Sequence, residues 1–384
     1  MTKIEYFSDE ASAGAFMDAL GGYKDPSAVS PLKGAAAHEV AVGPVHAGVI
    51  EPGHFRFQCM GEDVYNLQIF LGYQHRGVER EIAAADGFVA RQVALCETCA
   101  GDTSIAAATC FADIMESAFP KRFAAPSANA LAVRRCLLEL ERIANHVGDL
   151  GALAGDVAFL PTSSFCGRIR GDYLNMTALV CGNRFGRNAV VPGGARATID
   201  AAKAAKLKSL IAAAKKDLDN ALSLMFNEPT VVERFSGTGV VTKETAAEIG
   251  LVGVARRASD EFGGDVLARA KVRRVEIDEA HEKIAAILDA LETGRSPETG
   301  SAAKVSVRSA EGGFKVCVST VAAWRGPLVH AALFADDGKM LRYKIVDPSA
   351  FNWHGLAWAL RGEQISNFPI CNKSFNLSYC GTDR

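Results

Sequence analysis

Four long stretches of this chain carry apolar residues at the spacing of an α-helix: Glu79 to Val93, Ser104 to Phe119, Asn129 to Leu153 and Asp200 to Met225. Helices of that length must each bury a face, and packing them on one another does so directly. The spacing therefore predicts a helical bundle over residues 79–296. Its clearest member begins at Asn129, with Leu131, Leu138, Ile143 and Val147 on one face and Arg134, Arg135, Glu139 and Arg142 on the other. The helix after Asp200 has that residue as its N-cap and a basic outer face that reads as solvated.

On both flanks the period changes. Residues 38–71 alternate apolar and polar side chains between Gly, Pro and Glu-Asp breaks, which predicts a small antiparallel sheet within residues 41–78. From Lys304 the alternation returns, including a hairpin with Asp336-Asp337-Gly338 as its turn. Residues 297–384 then read as a β-rich segment followed by an irregular tail returning to the bundle core, with Ser296, Pro297 and Gly300 as the linker. Residues 1–40, rich in Ala, Ser and Gly, read as a peripheral arm. The fold class expected is α+β, a central helical bundle with small antiparallel sheets built from the N-terminal and C-terminal segments.

Charge excludes some functions. Lys and Arg number 42 against 44 Asp and Glu, a net charge of −2, so nothing draws this chain to nucleic acid. No apolar run reaches the roughly 18 residues of a membrane span, and the start lacks the basic and apolar regions of an export signal. Ten scattered Cys then read as reduced thiols of a cytosolic protein.

Three clusters could carry chemistry. Cys96-Glu-Thr-Cys99 can offer two thiolates to one metal ion, although two packed core thiols fit it equally well. His46, on the Gly43-Pro44 turn between strands, is held where it can donate a proton or hydrogen bond, and a plain loop histidine fits too. Leu71-Gly-Tyr-Gln-His75-Arg76-Gly-Val-Glu79 sets a cation and a carboxylate three residues apart at the start of the bundle. The Gly193-Gly194 turn is too little to bind phosphate, and no GxGxxG or Walker loop supports a dinucleotide held by this chain.

In order, the segments Gly43 to Phe57 (GPVHAGVIEPGHFRF), Leu71 to Glu79, Cys96 to Cys99, Leu138 to Phe159, Phe185 to Gly194 and the terminal Asp383-Arg384 resemble the large-subunit family shared by group 4 membrane-bound nickel-iron hydrogenases and the quinone-site large subunit of respiratory complex I. The resemblance implies the hydrogenase large-subunit-like fold. It is to the members lacking the C-terminal nickel ligands, which residues 370–379 also resemble more loosely. Hydrogenases of the family hold nickel and iron with two N-terminal thiolates in RxCGxCxxxH and two C-terminal ones in DPCxxC. Here Ala94, Glu97 and Thr103 replace the Arg, Gly and His of the first motif. Ending on the shared Asp-Arg, the tail aligns Asn376 and Leu377 with the Asp-Ile of the complex I subunit and Cys380 with a Gly; one inserted residue puts Cys380 on a nickel ligand, but its partner is then Leu377.

The resemblance thus implies a remnant metal site at Cys96, Cys99 and Cys380, a nickel-iron centre lost, and no cofactor held by this chain. His46 matches the quinone-binding histidine, while the family's quinone tyrosine falls near Glu97. Arg76, with His75, matches the residues facing the terminal iron-sulfur cluster of a partner subunit, and Glu79 matches a carboxylate suited to handling protons. The implied protein is a peripheral subunit on the cytoplasmic face of a membrane complex, passing electrons from a small iron-sulfur subunit to quinone or another acceptor. Other complex I-like hydrophilic subunits and proton-pumping-type membrane subunits would complete it. Two alternatives stay open: an active hydrogenase with a degenerate site using Cys96, Cys99, Cys380 and perhaps Cys371, and a structural subunit with an inert cavity.

Overall fold

A computed structural model describes residues 2–21, 32–34, 36–45, 51–295, 306–307 and 313–383. The chain opens with β1 (Thr2–Phe7) and α1 (Glu10–Ala19), the latter capped by Asp9. Strands β2 (Ala37–Val42), β3 (His54–Met60) and β4 (Asp63–Phe70) form a three-stranded antiparallel sheet in that order. Helices α2 (Val78–Ala84), α3 (Val89–Thr98), α4 (Ser104–Ala118), α5 (Ala128–Asp156) and α6 (Leu160–Cys181) follow. After the short hairpin of β5 (Val190–Val191) and β6 (Gly194–Ala195) come α7 (Ala201–Phe226), α8 (Pro229–Phe235), α9 (Lys243–Glu248), α10 (Gly253–Glu261) and α11 (Val266–Glu292). Strands β7 (Ser306–Val307), β8 (Phe314–Ala323), β9 (Gly326–Ala335) and β10 (Met340–Val346) complete a five-stranded sheet ordered β10-β9-β8-β1-β7. The chain closes with α12 (Ser349–Ala359), a 3-10 turn (Ile365–Asn367), α13 (Phe368–Phe375) and α14 (Tyr379–Thr382).

The mixed helix-and-sheet architecture agrees with the α+β expectation. The β9–β10 hairpin turns where the Asp-Asp-Gly signal places it. Three details differ from the sequence reading. Residues 2–7 form a central strand, with Ile4 opposite Cys317 on β8 and opposite Val307 on β7, because the alternation of Ile4 and Tyr6 completes a sheet formed far along the chain. That β1–β7 pairing is parallel, so the larger sheet is mixed. The stretch from Glu79 to Val93 is two helices, broken where Gly87 takes a left-handed φ of +82°.

The central helix is α5, capped by Ser127, whose side chain accepts the Ala130 N–H. It packs against α4, α6, α11 and α13, so its polar face is covered as well. Arg134, Glu139 and Arg142 are buried. Arg134 donates to Glu116 at 2.6 Å and to the carbonyls of Val191 and Gly194, fastening the β5–β6 hairpin. Arg142 pairs with Glu139 at 3.0 Å and donates to the Ala323 carbonyl at 3.2 Å. Internal partners, not water, satisfy these charges. The expectation for α7 is met at its N-terminus, where Asp200 accepts from Lys203 N at 2.7 Å. Among the described residues no helix is long and apolar enough to cross a membrane.

Candidate functional site

Hairpins of two-residue loop place those residues at a sheet's end, and Trp324-Arg325 joins β8 to β9 in this way. Gly253 packs against the turn, and a Cβ there would strike the Arg325 carbonyl oxygen, so the close approach needs glycine. The Arg325 guanidinium is buried and forms a two-pronged pair with Asp102, at 3.0 Å and 2.7 Å. Its Nε donates to the Asn376 carbonyl at 2.6 Å, and its carbon centre lies 3.9 Å from the Trp324 ring. Burial alone would raise Asp102, but the Arg325 charge outweighs it and holds the carboxyl below its ordinary range.

This pair forms one wall of a cavity of about 520 Å³. Phe57 of β3 and Phe368, Pro369 and Leu377 from the C-terminal segment give it apolar sides. Glu51, Asp156, Asn372, Lys373 and Tyr379 add polar groups. Burial raises the Asp156 carboxyl against the opposing effect of Lys373. Asn376 is fixed in a left-handed φ of +44° while its amide donates to Asp149 at 2.5 Å, and Asp149 pairs with the buried Arg273 at 2.7 Å. Glu51 also lines a neighbouring open cleft of about 440 Å³, together with Tyr73, Gln74, His75, Arg76 and Cys380.

The sequence candidates fall around this site unevenly. His46 lies outside the described residues; on either side of it, Gly53 N donates to the Pro44 carbonyl at 3.0 Å, and Glu51 lines the cavity. His75 and Arg76 are exposed on the cleft. The Arg76 guanidinium donates to the carbonyls of Thr98 (2.9 Å) and Cys99 (3.0 Å), tying its loop to the end of α3. Glu79 is half-buried and accepts the Ile345 N–H at 2.7 Å, latching α2 to β10.

Cys96 and Cys99 are neighbours, with Cys110 and Tyr343 close by, but Cys380 lies apart from them on the cleft. Cys96 is wholly buried, its sulfur 3.8 Å from the Tyr343 hydroxyl, which is 2.8 Å from His330 Nδ1. Burial pushes the Cys96 thiol well up. Cys371 packs near Gly239 and Arg269, its thiol pushed up to about 12 by burial. Cys380 borders the cleft, and neither Cys96, Cys99 nor Cys371 lines it or the cavity. Among the described residues no three His, Cys, Asp or Glu side chains converge as a metal-ion donor set. Cys96, Cys99 and Cys380 therefore do not fit a binuclear nickel-iron centre, which needs shared thiolates. Glu97, near the family's tyrosine position, is buried toward Asn188, whose N–H it accepts at 2.7 Å; burial raises its carboxyl to about 7.

Sequence reading gave no site role to Asp102, Arg325, Tyr379 or the α13 residues Phe368, Pro369, Asn372 and Lys373. A usable signal existed for the first two, an Asp before a helix start and a Trp-Arg-Gly-Pro break between strands, but their pairing is tertiary.

Known proteins extend the resemblance. The sequence pattern of the family described as "Respiratory-chain NADH dehydrogenase, 49 Kd subunit" matches residues 156–261, from the end of α5 through α10. Hydrogenase-4 component G of Escherichia coli is 26% identical across 91% of this chain, which spans only 62% of that relative's length. NADH-quinone oxidoreductase subunit 4 of Thermus thermophilus is 27% identical, with 89% of this chain and 93% of the relative covered. The same fold occurs in a chain of the membrane-bound sulfane sulfur reductase, an archaeal respiratory membrane complex, with a TM-score of 0.76 at 20% identity over 91% of this chain and 99% of that one. The chain is thus similar along most of its length both to a hydrogenase component and to an NADH-quinone oxidoreductase subunit.

Proposed function

We propose that this chain is the large subunit of a membrane-associated oxidoreductase complex in which an organic acceptor of the quinone type is reduced in the cavity beside Arg325. The carrying observation is the cavity itself: about 520 Å³, apolar on the sides of Phe57 and Phe368, with a fixed cation in its wall. Two electrons and two protons convert a quinone to its hydroquinone. The electrons come from the iron-sulfur cluster of a small partner subunit, docked over the exposed His75-Arg76 loop. The protons come from His46 and from Glu79. Arg325, fully engaged with Asp102 and Asn376, stabilises negative charge developing on the reduced ring.

The separation of Cys380 from Cys96 and Cys99 supports a subunit working without its own nickel-iron centre. Further hydrophilic subunits and a proton-pumping-type membrane arm complete the assembly, with this chain peripheral on the cytoplasmic face. In the intact complex, His46→Ala should cut electron transfer to a short-chain quinone while the small subunit stays bound. Normal turnover in that variant overturns the proposal.

A further inference from the structure

The loop that follows α6 has no part in the reading above, yet it is held more firmly than a surface connection needs. The Asn183 side-chain oxygen accepts the N–H groups of Phe185 (2.9 Å) and Arg187 (3.3 Å). Gly186 takes a left-handed φ of +68°, and a Cβ there would come within 2.6 Å of the Ile105 side chain. Asn188 is left-handed too, at +61°, and its N–H is bonded to Glu97 at 2.7 Å. A loop fixed at each position from Phe185 to Asn188 loses little further entropy when something binds it.

What it presents is cationic and aromatic. Arg184, Phe185 and Arg187 are exposed, and among the described residues no carboxylate forms an ion pair with either arginine. Glu97 feels Arg187 and Arg196 at longer range, but its Oε1 is taken by Asn188. The loop also adjoins the one that carries His75 and Arg76. Arg187 Nη2 lies 3.6 Å from where a Cβ on Gly101 would stand, while the Arg76 guanidinium holds the carbonyls of Thr98 and Cys99. The two cations therefore flank one stretch of chain at the end of α3, and Tyr73, 50% exposed, borders the cleft beside Arg76. Of the acids nearby, Glu51 lies in that cleft and Asp102 is already engaged by Arg325. Arginine and aromatic side chains carry much of the energy of protein interfaces, and guanidinium groups covered there need opposing carboxylates.

We infer that the small iron-sulfur subunit docks across both loops, setting carboxylates against Arg184 and Arg187 and an apolar recess over Phe185. The inference rests on the docking reading above and adds to it a second anchor, together with the charge its partner must carry. A basic partner face would leave Arg76, Arg184 and Arg187 covered without counter-charge.

The test uses the assembled complex, purified through a tag on this chain, with the iron-sulfur subunit retained after dilution quantified by mass spectrometry. Arg184→Glu/Arg187→Glu should weaken retention at least roughly tenfold, because like charges then face each other. Arg184→Gln/Arg187→Gln should fall between that variant and wild type, and added salt should loosen the wild-type contact. Lys206→Glu/Lys216→Glu makes the same change of charge on exposed lysines of α7 and should leave retention at the wild-type level. Should the double glutamate variant yield no complex, the glutamine pair decides by the same comparison. Arginine variants that retain the subunit as well as the lysine variant overturn the inference. If Arg76→Glu then releases the subunit in the same assay, the docking reading stands; if it does not, that reading falls as well.

Discussion

The Asp383 carboxylate accepts the Gly72 N–H at 2.7 Å, and its second oxygen accepts the Gln74 N–H at 3.0 Å. One buried side chain thus shapes the loop that presents His75 and Arg76. Asp383→Ala should lower unfolding free energy by about 2 kcal/mol, because two charge-assisted bonds go and two amides lose their acceptor. Chemical denaturation measures this. Amide exchange at Gly72 and Gln74 should accelerate in the same variant, and unchanged exchange would show that the loop holds its shape without the carboxylate.

Arg325 is buried, whereas its partner Asp102 opens partly to the cavity, with 34% of its side chain exposed. Breaking such a pair from the acid side strands the cation. Asp102→Asn should cost about 2 kcal/mol, below the range for fully enclosed pairs because cavity water screens the remaining charge. Arg325→Met added to Asp102→Asn should recover part of the loss, and a double-mutant cycle in denaturant gives the coupling directly.

Glu141 makes stability fall with rising pH. It is buried and accepts the N–H groups of Ile105 (2.8 Å) and Ala106 (3.3 Å) at the start of α4. Burial pushes its carboxyl from the ordinary 4.5 up to about 8. The folded chain therefore keeps a proton that the unfolded chain releases above 4.5. Its contribution is fully present below that value and is lost as pH rises through about 8, with a slope of at most about 1.4 kcal/mol per pH unit. Glu141→Gln should flatten the decline between pH 5 and pH 8 in urea unfolding, a window set by those two values. An unaltered slope would place the titrating group elsewhere, Glu97 being the next with a carboxyl raised to about 7.

The distance of Cys380 from the Cys96–Cys99 pair bears on metal. Anaerobically purified complex should hold nickel far below one atom per large subunit, with its iron accounted for by the partner's clusters, as read by elemental mass spectrometry. Cys96→Ala should leave turnover within about twofold of wild type, because the side chain packs toward Tyr343 and away from the acceptor cavity. Stoichiometric nickel, with dye-linked hydrogen uptake, would instead support the hydrogenase alternative.

Helices at 3.6-residue spacing and strands at two-residue spacing were legible because local burial writes them into the pattern. Asp200 and Gly338 mark their boundaries for the same local reason. What the pattern could not convey was environment. Arg134 and Arg142 read only as charges on one helix face until Glu116 and the carbonyls at Ala322 and Ala323 meet them from other elements, with Glu139 joining from the same helix. The site divides in the same way. The His75-Arg76 loop was found because its residues are contiguous, whereas the Asp102–Arg325 pair joins positions remote in sequence and leaves no spacing to read.

Sheet order carries a kinetic consequence. Arg325 reaches Asp102 from the end of the β8–β9 hairpin, and β8 is flanked on its other side by β1, with Phe7 opposite Phe314. That pairing joins two regions separated by the whole helical bundle, so a very long loop must close before its contacts repay the lost entropy. Until β1 docks, β8 presents an open edge, a surface on which unfinished chains can join one another. Completion of the cavity is thereby tied to the least local step of folding, and a variant weakened in β1 would be expected to lose yield through aggregation before it loses affinity for any ligand.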